Sequence, residues 1–187
     1  MKTYDFRFDT SMFQTFLGKK LTKYKHADFI YTNSVTGVLG FEVEDCSVYM
    51  LTNEHEVLDF FSLDDEATIF RVRKAKWSDI DSLINNSINE TISAEQITKV
   101  TLVNDHTILK IDGNVEYEML DTKAIVFFLE NHEICFVKQD CWFSQEIEVY
   151  KGYDLLCKVG DGRGILADFE TDEHKTITVN RSFIEIQ

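Results

Sequence analysis

The sequence predicts an α+β fold that is predominantly antiparallel β-sheet, with two similar helix-plus-strands units and a C-terminal strand pair. Three observations carry that expectation. Runs dense in Val, Ile, Phe and Tyr are separated by short polar links, the pattern of consecutive strands. Two other stretches space their apolar residues as a helix does. Four short windows also recur in the same order about 76 to 78 residues apart, the mark of an internal repeat.

The repeat windows are LTKY at Leu21–Tyr24 with ITKV at Ile97–Val100, and FEVED at Phe41–Asp45 with YEMLD at Tyr117–Asp121. HEV at His55–Val57 then matches HEI at His132–Ile134, and Ile69 and Val72 fall on Ile147 and Tyr150. This divides one compact domain, 1–187, into units of about 9–76 and 78–153 related by a pseudo-twofold, with a β extension over 154–187. The competing explanation is convergence of two β-rich halves on similar strand patterns.

The elements follow in order. Asp9–Leu21 reads as a short helix: Met12, Phe13, Phe16 and Leu17 share one face and Asp9 or Ser11 caps it. VYMLTN and EVLDFFS read as two strands about a turn at Thr52–Glu56. Thr68–Val72 fits a further strand. Ser78–Ile92 reads as the second helix, with Ile80, Leu83, Ile84, Ile88 and Ile92 at helical spacing, Ser78 as cap and two asparagines weakening its middle. AIVFFLEN and EICFV pair about a turn at Glu130–Glu133, and the unbroken run Ala124–Leu129 predicts a strand covered on both faces. Glu146–Tyr150 alternates as a strand. GDGRG, Gly160–Gly164, is a loop in which Gly162 and Gly164 serve positive φ. ILADFE and TITVNRSFIEI close the chain as two strands around Thr171–Lys175.

Composition bounds function. The chain has 187 residues, 44% hydrophobic, with 33 Asp+Glu against 19 Lys+Arg and no proline. That allows a sizeable core. A net charge of −14 argues against duplex DNA or an anionic membrane as the main partner. No apolar run is long enough for a transmembrane helix, and the charged N-terminus lacks the apolar core of a signal peptide. Four cysteines (Cys46, Cys135, Cys141, Cys157) then read as reduced thiols of a cytoplasmic protein.

No chemical motif is complete. GDGRG satisfies neither phosphate-binding glycine pattern. His132, Cys135 and Cys141 lack the two tight couples of a zinc site, and the EF-hand spacing is absent, so no metal or cofactor is expected. No catalytic residue is assigned. His55 and His132, matched in the repeat and each followed by Glu, form a possible paired site. With Glu56 and Glu133 they would converge on a cleft between the units if the protein were an enzyme or small-ligand binder. Arg71, Arg73, Lys74 and Lys76 before Trp77 could touch a nucleic-acid backbone, but pairing with nearby carboxylates is the simpler role.

The strongest charge feature is Glu42, Glu44, Asp45, Glu54, Glu56, Asp59, Asp64, Asp65 and Glu66, a stretch without Lys or Arg. With an aromatic anchor such as Trp142, it suggests a negatively charged surface for a basic protein partner. The expected function is therefore a non-catalytic acidic protein-binding module. By analogy of size and charge, it would be an immunity protein or a phage or defence-related inhibitor. The second alternative is an oligomer-forming structural protein that pairs sheets through Ser182–Ile186.

Overall fold

The computed structural model describes residues 1–44, 47–58, 66–84, 86–139, 144–167 and 173–187. Strands dominate, as the Val, Ile and aromatic runs require. β1 is Lys2–Phe6 and β2 Lys20–His26, followed by β3 (Ser34–Val35), β4 (Val38–Val43), β5 (Ser47–Val57) and β6 (Glu66–Ala75). A single long strand, β7, runs from Ile88 to Ile111. Then come β8 (Asn114–Leu129), β9 (Glu133–Lys138), β10 (Ile147–Gly152) and β11 (Lys175–Ile186). Helical structure is confined to one- or two-turn pieces: α1 (Thr10–Gln14), α2 (Trp77–Asp81), a 3-10 helix (Leu155–Val159) and α3 (Arg163–Ala167).

Two antiparallel meanders share β7. Its first part pairs with β2, which continues through β4 and β5 to β6. Its remainder pairs with β8, which continues through β9 to β10. The turn between β7 and β8 is Asp112–Gly113, both with positive φ, the two-residue geometry that matches strand twist. β11 lies antiparallel along β7 from Val100 to Ile111. β1 is the exception, running parallel to β8.

The meanders face each other across one aromatic core. Phe13 and Phe16 from α1 insert beside Phe41, Tyr49, Phe127 and Phe136, with Phe16 and Tyr49 ring centres 4.8 Å apart. Asp9 fixes the start of α1 by accepting from Ser11 N at 2.9 Å. On the far side of β8 and β9, Leu155 and Val159 of the 3-10 helix cover Ala124, Val126, Cys135 and Val137. The strand at Ala124–Leu129 is thus covered on both faces, as expected. On the far side of β4 and β5, Ile80 and Ile84 cover Val48 and Met50. Gly40 permits that approach, because a Cβ there would meet Ile80 Cδ1 and come within 2.8 Å of Trp77 Cζ3.

Several sequence expectations change. The proposed turn at Thr52–Glu56 is strand: β5 runs through it without interruption. Thr52 and Asn53 are polar yet buried, so composition imitated a turn. The turn at Glu130–Glu133 does separate β8 from β9. The second helix ends at Asp81, and Ile88 and Ile92 belong to β7. Positive φ at Asn86 turns the chain before that strand. Helix α2 also starts earlier than the proposed Ser78 cap, with Asp79 accepting from Lys76 N at 3.0 Å. Positive φ occurs at Gly160 and Gly162, whereas Gly164 lies in α3 with the start of ILADFE. The terminal strand therefore pairs with β7, and Ser182–Ile186 is committed to that pairing. Each half does run from a short helix into an antiparallel meander. The HEV window nevertheless falls inside β5 while HEI begins in a turn, so the matched windows do not coincide element for element.

Candidate functional site

Two polar regions stand out, one closed and one open. The closed one lies where β7, β8, β9 and β11 meet. Arg181 makes a two-pronged contact to Asp105, with Nε to Oδ1 at 2.7 Å and Nη2 to Oδ2 at 2.6 Å. It also donates to the carbonyls of Val159 and Gly160. Asp105 stands directly opposite Asp121, which accepts from Lys138 Nζ at 3.2 Å. These groups and Lys123 are all buried. Burial raises the Asp105 carboxyl above its ordinary value; Arg181 opposes this rise, while the charge of Asp121 adds to it. This is an internal brace that ties the C-terminal strand to the 3-10 helix.

The open region lies where the 27–37 segment crosses between the meanders. The segment leaves β2, places β3 against the edge of β10, and returns to β4. Three backbone hydrogen bonds fasten it: Val149 N to Asn33 O, Ile30 N to Ser34 O, and Asn53 N to Gly37 O. From the other side, the buried Asn53 amide donates to Ser144 O at 2.9 Å and Glu146 O at 3.2 Å. Thr68 Oγ1 also donates to Ser144 O. Gly37 is required at this junction, since a Cβ would lie 2.5 Å from Gln145 O and 2.7 Å from Asn53 O.

Between these walls lies a groove of about 710 Å³, lined by Asp28, Glu54, His55, Leu83 and Gln145 among others. An adjoining lobe of about 360 Å³ shares Thr36, Gly37, His55 and Gln145 and adds Ile30, Ser144 and Glu146. Among the described residues, three carboxylates line the combined space and no Lys or Arg does. Eight large apolar side chains are exposed among the described residues, and Phe29, Ile30, Tyr31 and Leu83 are four of them. Of these, Leu83 and Ile30 line the combined space, and Phe29 and Tyr31 flank Ile30 in the crossing segment.

The residues predicted from sequence are distributed unevenly. Glu54 and His55 line the groove. Glu56 instead pairs with Arg71 at 2.8 Å. Glu44 accepts from Lys20 N at 3.2 Å. Glu42 accepts from Trp77 Nε1 and Thr22 Oγ1, both at 2.8 Å. Burial alone would raise the Glu42 carboxyl, but those bonds and the charge of Lys23 hold it below its ordinary value. Trp77 thus serves Glu42, and Lys23 lies over its ring. Glu66 opens β6; Asp45, Asp59, Asp64, Asp65 and Trp142 lie outside the described residues.

His55 and His132 do not share a site. His55 sits beside Gln145, before β10 begins. His132 precedes β9 at the other end of the β9–β10 hairpin, roughly 17 Å away at the usual rise per strand residue. There its Nδ1 lies 3.0 Å from Glu95 Oε2, which also accepts from Asn131 N. Glu133 accepts from Leu155 N. Cys135 is buried among apolar side chains, which raises its thiol, and Cys157 is exposed; Cys46 and Cys141 lie outside the described residues. Among the described residues no group of three His, Cys, Asp or Glu could hold a metal ion, and no helix is long and apolar enough to cross a membrane.

Sequence reasoning missed Asp28, Phe29, Ile30, Tyr31, Asn53 and Leu83. The signal available was DFIYTNS, three bulky apolar residues enclosed by turn-forming ones. Compared with family models, curated proteins and solved structures, the chain matches none, so the groove is interpreted from its own geometry.

Proposed function

We propose that the protein is a non-catalytic binding module that docks a basic segment of another protein in the groove around His55. The observation that carries this reading is the coincidence of exposed Ile30 and Leu83, with exposed Phe29 and Tyr31 adjoining Ile30 in the chain, with a groove that carboxylates but, among the described residues, no Lys or Arg line. Large exposed apolar side chains grouped on a soluble surface mark interaction sites. Carboxylates among them select against acidic partners and speed encounter with basic ones. The net charge of −14 extends the attractive field beyond the groove. Neutralising a basic toxin, as immunity proteins do, or inhibiting a basic enzyme, is the role we assign to such a surface.

The test is affinity capture with wild-type protein and two variants, followed by binding measurements on the purified partner at two salt concentrations. Tyr31→Ser/Leu83→Ser should abolish capture of a basic partner. Tyr153→Ser/Phe183→Ser, exposed elsewhere, should retain it. Equal capture by both variants, or no basic partner at low salt, would reject the reading.

A further inference from the structure

Resting on that docking reading, we infer that the group entering the groove is the guanidinium of an arginine in the partner's segment, held by Asn53 Oδ1 and Glu146 Oε2. Both oxygens are buried and accept no hydrogen bond among the described residues. The Asn53 orientation is not interchangeable. Its nitrogen faces the carbonyls of Ser144 and Glu146, which can only accept, so its oxygen must face elsewhere. Asn53 itself is only 2% exposed. Buried acceptors left unmet are costly, and the two residues that carry these line the groove and its adjoining lobe.

Asp28, Glu54 and Glu146 line the space, and among the described residues no Lys or Arg does. Glu54 meets its nearest cations, Arg71 and Arg73, only at 3.9 and 4.0 Å. The occupant must therefore bring several donors and a positive charge. A guanidinium carries five N–H groups in a planar fork and is less strongly hydrated than an ammonium, so it reaches paired acceptors at lower desolvation cost. Its stem and neighbouring residues can rest on Ile30, Tyr31 and Leu83. Both acceptor oxygens are covered in the empty groove, so entry requires the wall to shift.

The experiment titrates the full chain with blocked Leu-Arg-Leu, its citrulline analogue and agmatine, following amide chemical shifts up to millimolar ligand. The arginine peptide should bind about tenfold more tightly than the citrulline peptide, the scale of a charge-assisted contact. It should shift residues of the 27–37 and 144–146 segments. Glu146→Gln should reduce that affinity about tenfold without altering the fold, and Glu116→Gln, exposed on β8 away from the groove, should leave it intact. Citrulline binding as tightly as arginine, no binding of the arginine peptide, or no effect of Glu146→Gln would overturn the inference. Agmatine matching the peptide would replace the protein segment with a small guanidino compound. For a purified partner, loss of binding in Tyr31→Ser/Leu83→Ser but not in Glu146→Gln would keep the docking reading and remove the arginine. Loss in neither would remove both.

Discussion

The brace around Arg181 and the groove around His55 are both rich in charge, yet they solve opposite problems. In the brace, Arg181 is matched to Asp105 and two carbonyls, and Lys138 to Asp121. In the groove, Asp28, Glu54 and Glu146 line an open space with only long contacts from Arg71 and Arg73 to Glu54, and Asn53 Oδ1 and Glu146 Oε2 accept no hydrogen bond among the described residues. Charge alone therefore says little about function. What separates the two regions is enclosure: the brace buries its ion pairs, although Asp121 Oδ1 accepts no hydrogen bond among the described residues, while the groove presents its carboxylates to an open space.

The largest expected effect tests the closed side of that contrast. Arg181→Met leaves Asp105 buried and unpaired, and should cost about 3–5 kcal/mol in urea unfolding. Adding Asp105→Leu should restore most of the loss. A single-variant cost below about 1 kcal/mol would show that solvent reaches the cluster.

Gly37→Ala should follow, at about 1–3 kcal/mol, because its Cβ would collide with backbone oxygens rather than yielding side chains. It should also weaken partner binding, since the collision lies at the groove wall. Unchanged stability would mean that the crossing segment moves freely.

Glu42 gives an effect confined to acid. Its folded carboxyl lies below the ordinary value, so its stabilisation is complete above the unfolded-state value and fades as pH falls through the folded one. The stability gap between wild type and Glu42→Gln should therefore close between about pH 5 and pH 3. A gap that stays constant would assign the loss to packing against Trp77. Smallest of all should be Tyr31→Ser/Leu83→Ser, within about 0.5 kcal/mol per site in unfolding. A large loss there would make these side chains part of the core rather than a docking rim.

Much of the sheet is legible in the sequence because strand residues advertise themselves. Ala124–Leu129, Thr68–Val72, the TITVNRSFIEI segment and all but the first residue of Glu146–Tyr150 fall in strands. Errors arose where a local pattern had two readings. Ile80, Ile84, Ile88 and Ile92 fit one helical face, but only the first two pack beside α2, and Ile92 joins the aromatic core from β7. Leu83, assigned to that same face, is 55% exposed. The stretch TNEHE looked like a turn because the partners that bury Asn53 are nearly a hundred residues away. Asp112–Gly113, flanked by alternating residues, was the one explicit hairpin signal and passed unused.

The candidate site was less legible for a related reason. It is assembled from the 27–37, 53–55 and 144–146 segments, and the bonds joining them depend on the folded sheet. The acidic excess was plain, but its uses were not: Glu42, Glu44 and Glu56 have internal partners, while Glu54 lines the groove.

The length of β7 has a consequence for the order of folding. It pairs with β2, β8 and β11, and its β11 edge is closed by a strand much later in the sequence. During synthesis, that edge of Val100–Ile111 stays open until Lys175–Ile186 has emerged. Pairings so distant in sequence are slow to form, and an open edge invites association with other chains in the interval. Disrupting the Ser182–Ile186 part of β11 should therefore appear first as poor yield and aggregation during expression.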